Sequence, residues 1–92
     1  MKNVIWKYTL GISDEQTIQM PKGGQILTVQ TQNEIPQIWV LVNPENDTEP
    51  RKIKIIGTGH NIEYFNGKYI GTFQMSNGTL IFHAFEMKLP KT

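Results

Sequence analysis

The chain has 92 residues, of which 38% are apolar and 18% charged, with no cysteine; this is one small domain with one core, burying only about 60–65% of its unfolded surface. No disulfide can supplement that core, and the missing cysteines fit a reducing compartment. A formal net charge of +1 disfavours binding DNA or RNA polymers by phosphate neutralisation, and no apolar run approaches the roughly 20 residues that cross a bilayer.

At the amino terminus, lysines at positions 2 and 7 interrupt the apolar residues before a signal-peptide core of adequate length, so a cytoplasmic location is expected. Val4 to Leu10 alternates as a first strand, with Val4, Trp6, Tyr8 and Leu10 on one face. Thr17 to Met20 reads as a second strand before Pro21-Lys22-Gly23-Gly24 turns the chain, although Ser13 with Gln16 also has the spacing of a helix capping box. Gln25 to Gln32 is β-branched and sets Leu27, Val29 and Thr31 against Ile26, Thr28 and Gln30. Asn33-Glu34 is a hairpin turn into Ile35 to Val42, which is apolar on both faces and therefore central or covered.

The stretch from Pro44 to Pro50 is acidic and closed by prolines, as a surface loop would be. Arg51 to Ile56 follows as a strand with Ile53 and Ile55 on one face and Lys52 and Lys54 on the other, emptying into Gly57-Thr58-Gly59-His60. Asn66-Gly67 signals a turn, Tyr69 to Met75 a strand with Tyr69, Gly71, Phe73 and Met75 on one face, and Ser76-Asn77-Gly78 a second turn. Thr79 to Met87, apolar on both faces, pairs back on its predecessor, and residues 89–92 are a frayed tail. Six or seven short strands without a helix predict a single all-β domain over residues 1–92, a small antiparallel β-sandwich or barrel. With two strands apolar on both faces and no disulfide, a homo-oligomer is expected.

Few residues suit catalysis. Ser13 and Ser76 lie in turn sequences, the two histidines have no partner at metal-ligand spacing, and Asp14, Glu63 and Glu86 give no sign of convergence as an acid and base pair. The chain reads as a binder, with no enzymatic activity and no cofactor. Gly57 and Gly59 permit backbone N–H groups to approach a phosphate, Thr58 adds a hydroxyl, Arg51 and Lys54 supply charge, and His60, Trp39 and Tyr69 offer rings to flank bases. His83, between Phe82 and Phe85, reads as a core histidine. The plain alternative for Gly57 to His60 is an ordinary turn, and for Arg51 and Lys52 neutralisation by the preceding acidic loop.

Ile5-Trp6-Lys7-Tyr8, Gln16 through Gly23, Gly57-Thr58-Gly59-His60, Tyr69-Ile70-Gly71-Thr72-Phe73 and Phe82-His83-Ala84-Phe85-Glu86 occur in an order that resembles a family of short phage-encoded proteins. The resemblance covers nearly the whole chain. In size and β-rich character these are similar to anti-CBASS sponge proteins, which sequester cyclic nucleotide immune signals as oligomers. The resemblance implies a protein acting in the host cytoplasm that holds a cyclic dinucleotide such as 3′3′-cGAMP without hydrolysing it. It transfers no binding residues. A phage protein that binds a host protein through a sheet face or edge, or a minor virion structural protein, is the alternative.

Overall fold

The computed structural model describes residues 2–62 and 65–89. Its strands are β1 (Val4–Thr9), β2 (Glu15–Pro21), β3 (Gln25–Gln32), β4 (Ile35–Val42), β5 (Thr48–Gly57), β6 (Gly67–Met75) and β7 (Leu80–Met87). They form two antiparallel sheets, one ordered β1-β4-β3 and the other β2-β5-β7-β6. The domain is all-β, as the alternating pattern predicts, and both strands with two apolar faces, β4 and β7, lie between neighbours.

The core lies between the sheets. Val29, Ile38, Val40 and Val42 come from the smaller sheet, and Met20, Ile53, Ile55, Phe73 and Ala84 from the larger, all in one buried cluster. Residues opposite one another across an antiparallel ladder share a face, so the pairing of Ile55 with Ala84, and of Ala84 with Gly71, makes one inward row. Gly71 is a glycine for a local reason: a Cβ there would stand 2.9 Å from Val29 Cγ1 on β3.

Two irregularities change the faces expected from strict alternation. In β6 the register shifts between Tyr69, opposite Phe85, and Gly71, opposite Ala84. Tyr69 therefore points outward with Phe85 while Gly71 and Phe73 point inward, and the four residues expected on one face are divided. In β3 a shift between Ile26 and Thr28 places Ile26 opposite Val40 and Val29 opposite Ile38, so Ile26 joins the core side and Leu27 is left 42% exposed. An extra residue in one strand inverts the alternation beyond it, which periodicity cannot reveal.

The connections follow from turn chemistry and topology. Asn33 and Glu34 both have positive φ, 54° and 66°, the type I′ conformation whose twist suits a two-residue hairpin. The Ser13–Gln16 segment is no helix: Gln16 on β2 bonds both the N–H and the carbonyl of Gly11, at 2.9 and 2.8 Å. β5 begins at Thr48, so the last three residues of the expected acidic loop belong to the strand. Pro50 is tolerated there because β5 pairs with β2 at that level while its ladder with β7 starts only at Lys52. Asn66-Gly67 leads into β6 and closes no hairpin, because β5 and β6 run in the same direction on either side of β7 and require a crossover. The expected tail beyond Leu89 lies outside the described residues.

Because its Cβ would collide with Val29, Gly71→Ala should destabilise the fold by about 1–3 kcal/mol, the usual range for overpacking a filled core. A lowered denaturant midpoint with an unchanged slope checks this.

Candidate functional site

β5 divides the chemistry of the chain between two faces. Pairing sets Lys52 opposite Met87, Lys54 opposite Phe85 and Ile56 opposite His83, and β7 in turn sets Met87 opposite Gly67, Phe85 opposite Tyr69 and His83 opposite Thr72. The outer face of the larger sheet thus carries two adjacent rows, Lys54–Phe85–Tyr69 and Ile56–His83–Thr72. On β2, Glu15 extends the first row beside Lys54.

A continuous chain of hydrogen bonds crosses this face. The Tyr69 phenol lies 2.6 Å from Thr72 Oγ1, Thr72 Oγ1 lies 2.9 Å from His83 Nδ1, and His83 Nε2 lies 2.7 Å from Thr58 Oγ1. Thr58 Oγ1 also donates to the Ile81 carbonyl at 3.3 Å. A single donor direction satisfies every link: Tyr69 to Thr72, Thr72 to His83 Nδ1, His83 Nε2–H to Thr58, and Thr58 to Ile81. The chain holds the imidazole in one plane between two hydroxyls. Beside it, the Phe85 ring meets Phe65 edge-on at 5.0 Å and a tilted Tyr69 at 5.6 Å, and Tyr69 itself is 57% exposed.

Charge on this face is concentrated at β5. Lys52 and Lys54 share the one carboxylate of Glu15, at 3.1 and 3.5 Å, so two cations face one anion. The Lys52 hydrogen bond, reinforced by the charges of both lysines, holds the Glu15 carboxyl below its ordinary value despite some opposing desolvation.

The eight residues predicted to bind ligand do not converge on one site. Lys54, Thr58 and Tyr69 share the outer face. Arg51 stands on the opposite side of β5, in line with Ile53 and Ile55, about 20 Å of strand from Gly57. Its Nε bonds Glu86 Oε2, its Nη2 donates to Glu86 Oε1 at 3.0 Å, and Nη1 donates to the Gly24 carbonyl at 2.8 Å. Glu86, its main partner, raises the guanidinium pKa further.

Gly57 to His60 is a β-turn closed by the His60 N–H on the Gly57 carbonyl at 3.1 Å, with Gly59 at φ 87° in the position where a type II turn calls for glycine. The His60 ring occupies the room of the missing Gly57 side chain, its Cε1 3.1 Å from where a Cβ would sit. That position lies on the inward side of β5, so His60 and Thr58 serve opposite faces. Trp39 belongs to the smaller sheet, opposite Lys7. Of the carboxylates weighed for acid–base work, Glu86 is committed to Arg51 and Glu63 lies outside the described residues.

Sequence reasoning missed Thr72 and Phe85 and read His83 as core. The signal lay in β7 itself, where His83 and Phe85 alternate with Phe82 and Ala84, but only the ladder to β5 shows that their side is the one bearing lysines.

The chain belongs to the DUF7352 family, a domain of unknown function, which it matches over residues 1–92. No curated protein and no solved structure matches it.

The lowered Glu15 value carries a pH prediction. A group whose folded pKa is depressed stabilises the fold above its unfolded value and loses that contribution as pH falls through the folded one. Melting temperature should therefore decline from about pH 4 downward, and less steeply in Glu15→Gln, whose neutral side chain cannot titrate. Parallel profiles for the two proteins would contradict the assignment.

Proposed function

We propose that the outer face of the four-stranded sheet holds a cyclic nucleotide and releases it unchanged, so that the protein works by sequestration. The observation that carries this reading is the Tyr69–Thr72–His83–Thr58 chain, which begins at an exposed aromatic ring and shares its face with the two lysines of β5. A nucleotide asks for three things: a π-face for its base, fixed donors and acceptors for its polar edge, and positive charge for its phosphate. This face offers Tyr69 for the first, the Thr58, Thr72 and His83 group for the second, and Lys52 with Lys54 for the third.

The wider role follows from the resemblance in kind: a phage anti-defence sponge, acting in the host cytoplasm on a cyclic dinucleotide such as 3′3′-cGAMP. A cyclic dinucleotide has two bases and two phosphates, whereas among the described residues of one copy only Tyr69 joins an exposed phenol ring to this polar chain. A second copy would supply the other half, which makes the site part of a homo-oligomer. The free edge of β1, with Ile5 57% and Trp6 42% exposed, supports self-association.

The same edge favours a second reading, a module that binds a host protein by strand addition. In that case the polar chain on the larger sheet only tethers β6 and β7 to the β5 turn.

Isothermal titration with a panel of cyclic di- and trinucleotides separates the two. Saturable binding is expected, with Tyr69→Ala weakening it by about five- to 150-fold, the loss of a 1–3 kcal/mol stacking contact, and little change in melting temperature because the ring is exposed. The ligand recovered after heat denaturation should be chromatographically identical to that added; a hydrolysed product rejects sequestration, and no binding across the panel returns the choice to the protein-binding module. A monomeric mass by light scattering in the presence of ligand removes the shared site.

A further inference from the structure

A second concave place lies at the end of the larger sheet, where β5 and β6 begin and β7 finishes. A cleft of about 560 Å³ opens there, within the 300–1,000 Å³ usual for small-molecule sites. A side lobe of about 260 Å³ adjoins it, sharing Arg51, Lys68 and Glu86 as a common wall. Four cationic side chains, Arg51, Lys52, Lys68 and Lys88, border the main cleft against two carboxylates, Glu49 and Glu86.

The pairing among these groups decides what is free to meet a ligand. Arg51 is spent on Glu86, Glu49 and the Gly24 carbonyl, and Lys52 is drawn away to the outer face, where it shares Glu15 with Lys54. Among the described residues, Lys68 and Lys88 take part in no ion pair. The main chain of each is held in place. Lys68 lies opposite Glu86 in the β6–β7 ladder, and the Lys88 main chain is clamped on both sides by the Asn66 amide, which accepts from its N–H at 3.2 Å and donates to its carbonyl at 3.4 Å.

The geometry points to an organic phosphate as the occupant of this cleft, with its phosphate on Lys68 and Lys88. The guanidinium fork that would read a carboxylate is already closed by Glu86, which leaves two ammonium groups. An ammonium is a compact point charge suited to the diffuse charge of a phosphate. Pro50, Met87 and Leu89 supply an apolar wall against which the body of a nucleoside-sized molecule packs. The cleft meets the outer face proposed above at Lys52 and, through its side lobe, at Tyr69, but its phosphate contacts need neither His83 nor Lys54.

The test uses inorganic pyrophosphate, adenosine monophosphate and adenosine as probes, by calorimetry and amide chemical shifts on the full chain. Both phosphates should bind saturably and shift the amides of residues 66–68 and 86–88, adenosine should not, and salt should weaken the complex. The Lys68→Ala, Lys88→Ala double variant should lose roughly tenfold or more in affinity, while Lys7→Ala, a charge-matched control on the smaller sheet, leaves it unchanged. Both lysines are exposed, so a retained melting temperature will show the double variant to be folded. Unaltered affinity in it, equal binding of adenosine, or shifts confined to residues 83 and 85 would overturn the assignment. Failure of cyclic nucleotides to bind the outer face would leave this result untouched.

Discussion

The pairing of β5 with β7 is the constraint on which both faces of the larger sheet depend. With Ile55 opposite Ala84 and Ile56 opposite His83, one side of the ladder is committed to the core and the other to polar and aromatic groups. A slip of one residue would exchange them, putting lysines and an imidazole against Val29 and Phe73. Such a slip is resisted because burying unpaired charge costs far more than the ladder bonds return. Register and electrostatics therefore specify the same arrangement, which is the consistency a uniquely folded sequence needs.

The Arg51–Glu86 fork ties the inward side of that ladder to the rest of the domain. It joins neighbouring strands, and through the Gly24 carbonyl it reaches the turn between β2 and β3, where the chain passes from one sheet to the other. At 18% and 23% side-chain exposure the pair sits at the rim of the core, so its ions keep some solvent and its desolvation cost is lower than for a fully buried pair. Its contribution is position more than energy. It fixes where Glu86 stands, and so which neighbouring ammonium groups, among the described residues, remain without a carboxylate.

Much of the fold was legible in the sequence because it depends on period and turn chemistry. Two-sided apolar runs marked β4 and β7 as interior strands, and Asn33-Glu34 marked its hairpin. The bulges at Leu27 and Ile70 were not legible. Each inserts one residue whose effect is visible only against a partner strand, and the second separates Tyr69 from Gly71, Phe73 and Met75, with which strict alternation groups it. The site was legible in its composition but not in its assembly: Lys54, Thr58 and Tyr69 were recognisable as binding chemistry, whereas Arg51 and His60 share their strand or turn and yet face the other way. Alternation along β5 already separated Arg51 from Lys54. It could not show that Gly57 is small in order to seat the His60 ring.

The crossover from β5 to β6 ties these elements to the outer face. Since both strands flank β7 and run the same way, the connection must pass from one end of the sheet to the other, and its two ends bracket the candidate site: Thr58 bonds His83 where the connection leaves, and Phe65 packs on Phe85 where it arrives. A connection anchored on this face at both ends is coupled to it. Any ligand that displaces the Phe65 ring from Phe85 must also compete with an aromatic contact of about 0.5–1.5 kcal/mol, whereas one that approaches Tyr69 and His83 from the β6 side need not. The β6 side of the face is therefore the less costly approach, and the exposed Tyr69 ring stands on it.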